Sequence, residues 1–502
     1  MIVLTNGKFY KMKRNIVDRI IESVAPGIGR RRLEDRVKID LIEHTTGMRR
    51  YEGAAKGRNA SDWLGVSSSS NIEIQRDMVT LRNRSRELGR NNPYIKNWLR
   101  IMPNNIVGVG IIPTPVILSR GGNAAKMKEI WKIWAEDVRC DYDQRFDFYG
   151  LQHQILKTVF QSGECIIVRR RAKSTYAIPV RLQVLEADYI DNSKFSLSNE
   201  YGGLTWYGIE FNGDGDRVGY WLWDRHPGEF ASMSHRVDAK DIIHVFNPER
   251  PGQVRGVPDN HAALIGIKDL NDYEYSERLR AKVASCLVGA ITQDDADADN
   301  KLASSFETLE PGTFHRLRKG EGITFNSVPT SNGYSEYVNK NLHSIAAGIG
   351  CTFEAVTGDF SNVNFSSGRM GWLEFQRSVD FWQNNIMIPA CNGLFAWFVE
   401  AAQVAGFINI AQQVKASWTP PRREMIDPVK EMKSLTDEVR SKLKTWHEAV
   451  RERGYNPEEV LKELEMEYEM FKKTELKPIT FPEFDTDRTT DALGAAEEDS
   501  NK

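Results

Sequence analysis

The stretch Ser344–Arg377, SIAAGIGCTFEAVTGDFSNVNFSSGRMGWLEFQR, breaks a helical pattern into a polar, aromatic-studded loop and then starts a second, longer helix. Upstream, Val338, Leu342, Ile345 and Ile349 stand four, three and four residues apart, forming one apolar stripe of an α-helix. Gly348 and Gly350 loosen that helix. Downstream, Ser366 or Ser367 reads as an N-cap. Trp372, Phe375, Val379, Trp382 and Ile386 then repeat at three and four until Pro389 forces a kink or stop. Gly358–Phe365 has no period of its own, so the pattern predicts a loop clamped between two rigid helices.

Working outward, residues 258–287 read as another long helix, with Pro258 near its first turn. Its apolar stripe, Leu264, Ile267, Leu270, Leu279, Val283 and Leu287, is narrow, which predicts packing along one edge only. Between the two helices, ITQDDADADNKLASSFETLEPGTFHRLRKGEGITFNSVP mixes an acidic loop, turns and short strands, a small protruding module. Residues 75–105 carry helical patterning with a turn at Asn92-Pro93. From Gly110 to Phe246 the signals are mostly strand: IIPTPVIL, GECIIVRRR, IPVRLQVLEA, LTWYGIEF, RVGYWLW and DIIHVF. One helix, Ala124–Cys140, interrupts them, and Asn212–Asp216 is a hairpin turn. Beyond Trp418 helical patterns cover Val429–Arg453, stop at Gly454, restart at Asn456-Pro457 and run to Lys473.

At 502 residues, with 40% hydrophobic and 27% charged residues, the chain has the composition of a globular protein of two or three domains. The net charge of −2 hides an asymmetry: residues 1–60 carry fourteen Lys and Arg against seven Asp and Glu, and residues 451–502 carry eight against fifteen. The bland reading is solvated, mobile ends. The sharper one is a basic arm for an anionic partner and an acidic end past which nucleic acid slides. Five scattered cysteines without CxxC spacing argue against a disulfide framework or zinc site and for buried thiols in a reducing compartment. The first residues lack a signal-peptide pattern, and the most apolar run, Ile386–Val399, is too short for a bilayer span and contains Pro389. No membrane role is expected.

The run VTGDFSNVNFSSGRMGWLEFQR, with EPGTFHRLRKGE and RPGQVRGVPDN ahead of it, resembles the lambda-like family of tailed-phage portal proteins. So do RNNPYIKNWLRIMPNNIVGVGI, QVLEADYID, GIEFNGDGDRVGYWLWDRHPGE, DIIHVFNPERPGQVRGVP, DPVKEMKSL and ERGYNPEEV, in order over most of residues 75–470. The resemblance implies an α+β portal fold. It comprises a flexible basic N-terminal arm (1–70), a strand-rich wing (71–257), a first stem helix (258–288) and a clip (289–334). A second stem helix (335–356), a tunnel loop (357–367), a long kinked helix with wing closure (368–425), a helical crown (426–473) and a disordered acidic tail (474–502) follow. It also implies a closed ring of about twelve copies at one capsid vertex, assembled in the host cytoplasm and carried in the virion. Through it double-stranded viral DNA is packaged and later ejected, without sequence preference. The implied partners are the large terminase, the major capsid protein and scaffold, and head-completion or tail adaptor proteins.

On this resemblance the DNA-facing loop is Asp359, Phe360, Ser361, Asn362, Val363, Asn364 and Phe365. A loop against a sliding duplex should avoid strong phosphate bonds, and this one has no Lys or Arg. Without the resemblance it reads as an ordinary helix connection. The expected clip contacts are Asp294, Asp295, Asp297 and Asp299 on one side and His315, Arg316, Arg318 and Lys319 on the other, opposed charges that steer partners. Phe365 stands where the family more often has Tyr, and Gly368 is expected to fray the start of the next helix.

Two competing functions are weighed on the residues. A metal-dependent DNA-processing enzyme would use the Asp294–Asp299 carboxylates, but consecutive Asp and Ala on one loop are normally a solvated segment. NGDGD at 212–216 has a calcium loop's acids without its distal Glu, there is no phosphate-binding GxxxxGK[ST], and the nine histidines have no tight metal spacing. A head-tail adaptor ring is the other alternative, disfavoured by chain length. No cofactor is expected.

Overall fold

The structure, a computed structural model, divides into two units, Met1–Ser68 and Ser69–Lys502. It describes residues 69–117, 124–172, 176–229, 233–285, 289–293, 321–325, 333–409 and 413–473, together with short pieces of the first 68; at 283–285, 289–293 and 321–325 it describes the backbone alone. In the first unit, β1 (Ile2–Thr5) and β2 (Lys8–Lys11) form an antiparallel hairpin with Thr5 opposite Lys8. The rest of the expected basic arm lies largely outside the described residues.

The second unit opens with α1 (Ser70–Asn91) and α2 (Pro93–Ile106). Asn92 joins them: its N–H closes α1 on Leu88, and its Oδ1 accepts the Ile95 N–H at 2.9 Å to cap α2. This is the Asn-Pro turn the sequence predicts. After β3 (Ile112–Ile117) and α3 (Ala124–Ala135), a helix absent from the sequence reading appears: α4 (Phe148–Ser162), capped by Asp147 and stopped by Gly163 at φ +89°. It is the centre of the main core. Phe148, Leu151, Ile155, Leu156, Val159 and Phe160 are all buried, against Trp98 of α2 and Trp131 of α3.

Two sheets follow. β4 (Glu164–Arg171) lies between β5 (Val180–Glu186) and a later strand, and buries both faces, hence its apolar run ECIIV. A second sheet is an antiparallel meander of β6 (Gly202–Trp206), β7 (Ile209–Asn212), β8 (Arg217–Trp223) and β9 (Ser234–Asp238). LTWYGIEF is therefore two strands, not one: Tyr207 and Gly208 take φ of +48° and +80°, the tight hairpin turn that pairs Trp206 with Ile209. β10 (Ile242–Phe246) returns to β4.

The helix expected over 258–287, α5 (Leu264–Ser285), starts later than Pro258, because residues 258–263 are spent on a turn that ends in a 3-10 segment. Leu264, Ile267 and Leu270 are buried, while Leu279 of the same predicted stripe is half exposed. β11 (Gly289–Gln293) and β12 (Glu321–Phe325) pair antiparallel, with Gln293 opposite Glu321. The next helix, α6 (Tyr334–Gly348), buries Val338, Leu342 and Ile345 as the stripe predicts. A five-residue helix, α7 (Phe353–Thr357), precedes the loop.

The long helix is α8 (Phe365–Trp382), a π turn at Gln383–Met387, and α9 (Ile388–Val404) with Pro389 in its first turn. Pro389 therefore stops nothing; the π turn ahead of it absorbs its missing N–H. There the Gln383 amide donates to the Ile106 carbonyl at 2.8 Å, satisfying the end of α2. α9 buries Leu394, Phe395 and Phe398, and Trp131 stacks edge-on against Phe398 at 4.8 Å. β13 (Val414–Thr419) pairs with β3. The helical patterns over Val429–Arg453 form two helices, α10 (Pro428–Arg440) and α11 (Trp446–Glu452), separated at Lys442 with φ +61°; α12 (Pro457–Lys473) follows. Residues 474–502 lie outside the described residues.

Candidate functional site

The loop between α7 and α8 is held at both ends by caps rather than by packing. Thr352 caps α7 by accepting the Ala355 N–H, and Gly358, at φ +74°, closes it. Asn97 of α2 fixes the whole turn by donating its amide to the Ala355 and Val356 carbonyls at 3.0 and 2.9 Å. At the far end Asn364, not Ser366 or Ser367, is the N-cap. Its Oδ1 accepts the Ser367 N–H at 2.8 Å, and Ser367 Oγ accepts the Asn364 N–H at 3.2 Å, a capping box. Gly368 does not fray this helix: a Cβ there would lie 2.8 Å from Val363 Cγ1, so glycine lets Val363 fold down on the first turn.

Between the caps, Asp359, Phe360, Ser361 and Asn362 are exposed, Phe360 by 66%. Asp359 Oδ1 accepts the Ser361 N–H at 2.9 Å, and hydrogen bonding from Ser361, side chain first and then backbone, holds this carboxyl below its usual range. The loop is thus anionic and polar at its tip. Asn364 and Phe365 belong to the start of α8, and Lys430 of α10 stands 5.8 Å over the Phe365 ring.

Along α8, Met370, Leu373 and Phe381 share one face and are exposed by 74, 52 and 46%. The opposite face, Phe375, Val379 and Trp382, is in the core. α5 likewise exposes Ile265, Tyr275 and Leu279. Large apolar side chains in rows on helices that already have a buried face mark surfaces built for a further contact.

A second constellation went unseen in the sequence. Glu164, at the start of β4, is fully buried, and its oxygens accept from Arg255 (Nε 3.0 Å to each, Nη2 2.5 Å), Arg82 at 3.0 Å, His244 Nε2 at 2.9 Å and the Gly256 N–H at 2.9 Å. Burial pushes the Glu164 carboxyl up, but the Arg255 guanidinium, with the His244 hydrogen bond, reverses this and holds it well below the usual carboxylate range. Burial pushes His244 down, so the ring is neutral and donates from Nε2. Gly256 packs on Gly163, whose carbonyl would be 2.1 Å from a Cβ. RPGQVRGVPDN, residues 250–260, is therefore a structural clasp joining α1, β4, β10 and the foot of α5.

Residues 56–383, 328 of the 502, match the family described as "Phage portal protein, lambda family". The chain belongs to the lambda family of phage portal proteins. The portal chain is 24% identical to the "Probable portal protein" of Halomonas phage phiHAP-1, over 85% of this chain and 87% of that one. It is 21% identical to "Portal protein B" of Escherichia phage lambda, over 83% and 89%. Among solved structures, a chain of the "Virion of native gene transfer agent (GTA) particle" superposes with a TM-score of 0.46 and 16% identity, covering 78% of this chain and 94% of that one.

For this portal protein the expected clip contacts Asp294, Asp295, Asp297, Asp299, His315, Arg316, Arg318 and Lys319 lie outside the described residues. The β11–β12 pairing brings the chain into and out of that segment side by side. Of the five cysteines, Cys140, Cys165, Cys351 and Cys391 are buried thiols pushed up by burial, Cys391 to about 12, and Cys286 lies outside the described residues. Among the described residues one cluster has metal-like spacing, Glu186, Asp188 and His226. Arg86 already pairs with both of its carboxylates, at 2.9 and 2.5 Å. No helix among the described residues is long and apolar enough to cross a membrane.

Proposed function

We propose that copies of this portal protein close into a ring whose central channel passes double-stranded viral DNA, with the Gly358–Asn364 loop turned toward the duplex. The observation that carries this reading is α8, which presents an exposed loop without Lys or Arg at its start and an uncovered apolar stripe, Met370, Leu373 and Phe381, along its length. The stripe suits a neighbouring copy, since repeated heterologous contacts close as rings. The loop suits a sliding polyanion: Asp359 repels phosphate, and Ser361 and Asn362 form only weak, sequence-blind contacts. The role is architectural. The β11–β12 hairpin would carry the docking surface for the terminase, later taken by head-completion and tail adaptor proteins, while the wing meets capsid protein and scaffold at the vertex of the virion.

The test is DNA packaged per procapsid against time. Asn362→Lys adds one cation per subunit, multiplied around the ring, and should slow translocation at low salt, with the slowing relieved as salt screens the attraction. Asn362→Ser should be nearly silent. Equal rates for the two variants at both salt concentrations would remove this loop from the channel.

A further inference from the structure

The crown contains an incomplete core. α10 has the apolar spacing of a packed helix, Met432, Leu435 and Val439, yet none of its residues is buried, and α11 buries Ala449 alone. Between the two helices runs a groove of about 820 Å³. Leu435, Val439, Trp446 and Val450 form its apolar floor, each half-buried, and Arg440 and Arg453 stand on its rim. Among the described residues neither arginine has an acidic partner. A groove of this kind takes an extended peptide that supplies aromatic rings to the floor and carboxylates to the rim.

We propose that the occupant is this chain's own segment Ile479–Asp485, ITFPEFD, which lies outside the described residues. Its chemistry matches the groove: Phe481 and Phe484 for the floor, Glu483 and Asp485 for Arg440 and Arg453, and Pro482 to keep it extended. Residues 474–502 carry eight Asp and Glu against three Lys and Arg, opposite in sign to the rim. The lengths also agree. Val460, which lines the groove, and Lys473, where α12 ends, are separated by about 20 Å of helix. The seven residues 474–480 span up to about 24 Å when extended, enough to bring Phe481 back to the groove of its own subunit. The tail is then a strap that completes the crown.

Hydrogen exchange by mass spectrometry on the full-length chain tests this. In the wild type, amides 480–486 should exchange at least about tenfold slower than in Phe481→Ser/Phe484→Ser, and α11 should lose protection in that variant too. Arg440→Glu/Arg453→Glu should release the segment, and adding Glu483→Lys/Asp485→Lys should restore it. Free-peptide exchange at 480–486 in the wild type, or protection indifferent to both pairs of changes, would overturn the assignment. Oxidation of Val439→Cys/Phe484→Cys should give an intrachain bridge that runs as a monomer on a denaturing gel. Covalent multimers would instead give the groove to a neighbouring copy's tail and refute the same-subunit strap.

Discussion

Glu164 has no contact with solvent, so everything that keeps it charged comes from Arg255, Arg82, His244 and the Gly256 amide. Glu164→Gln would leave the buried Arg255 guanidinium without its counter-charge and Arg82 with Asp188 alone, at 3.3 Å, and such a break typically costs about 3–5 kcal/mol. Urea unfolding should show that loss, and Arg255→Met added to Glu164→Gln should recover part of it. The pH dependence has two opposite contributions. The neutral His244, with a depressed pKa, stabilises the fold fully above its unfolded value of about 6.5 and loses that contribution as pH falls through its folded value. Asp259, at the foot of α5, is pushed up to about 6 by burial and by Glu249, against the pull of His261. Its contribution is present below its unfolded value and lost as pH rises through 6. Asp259→Asn should therefore match the wild type near pH 4 and exceed it at pH 8 by roughly 2–3 kcal/mol, read from denaturant midpoints. None of this was legible locally. Arg255 sits in a segment whose family resemblance was plain, but its partner is 91 positions away, and a contact at that separation leaves no trace in spacing or composition.

At the scale of elements, periodicity carried most of what could be read. The stripes of α6 and α8 lie where the sequence places them, because each helix must bury one face and the 3.6-residue repeat records which. α4 was equally legible. Leu151, Ile155, Leu156, Val159 and Phe160 repeat at helical spacing between Asp147 and Gly163, but they sit among strands and were absorbed into them. The β3–β13 pairing and the π turn had no local signal: the first joins residues about three hundred apart, and the second depends on what lies against Gln383. The loop's residues were identified, but its downstream end was placed too late, since a cap of Asn with Ser three residues on is a weaker sequence signature than Ser or Thr with Glu. Asn364→Ala should cost the start of α8 about 1 kcal/mol while Asn364→Asp retains it. Faster hydrogen exchange at residues 366–368 in the first variant alone would register the difference.

For the whole molecule, the exposed stripes on α5 and α8 are the features that one copy cannot explain. Met370→Glu with Leu373→Glu should leave the subunit's own stability within about 0.5 kcal/mol, as is usual for exposed positions. The same pair should shift the mass seen by light scattering from a ring toward single subunits. Assembly unchanged by both charges would assign that face elsewhere. The π turn at Gln383–Met387 has a consequence of a different kind, for inheritance. It accommodates one residue more than a regular helix would in the same length, and each residue in a helix is worth about 100° of rotation. An in-frame loss of a single codon elsewhere in α8 or α9 would turn one half of the helix against the other by about that much, whereas a loss within the π turn would leave a well-formed, regular helix with both halves, and the Asp359 tip, in their present register. A deletion scan of phage genomes should therefore recover one-codon losses between codons 383 and 387, as in the connection between α9 and β13, and none within the regular turns of α8 and α9. Along this helix, descent can change the number of residues only at that turn.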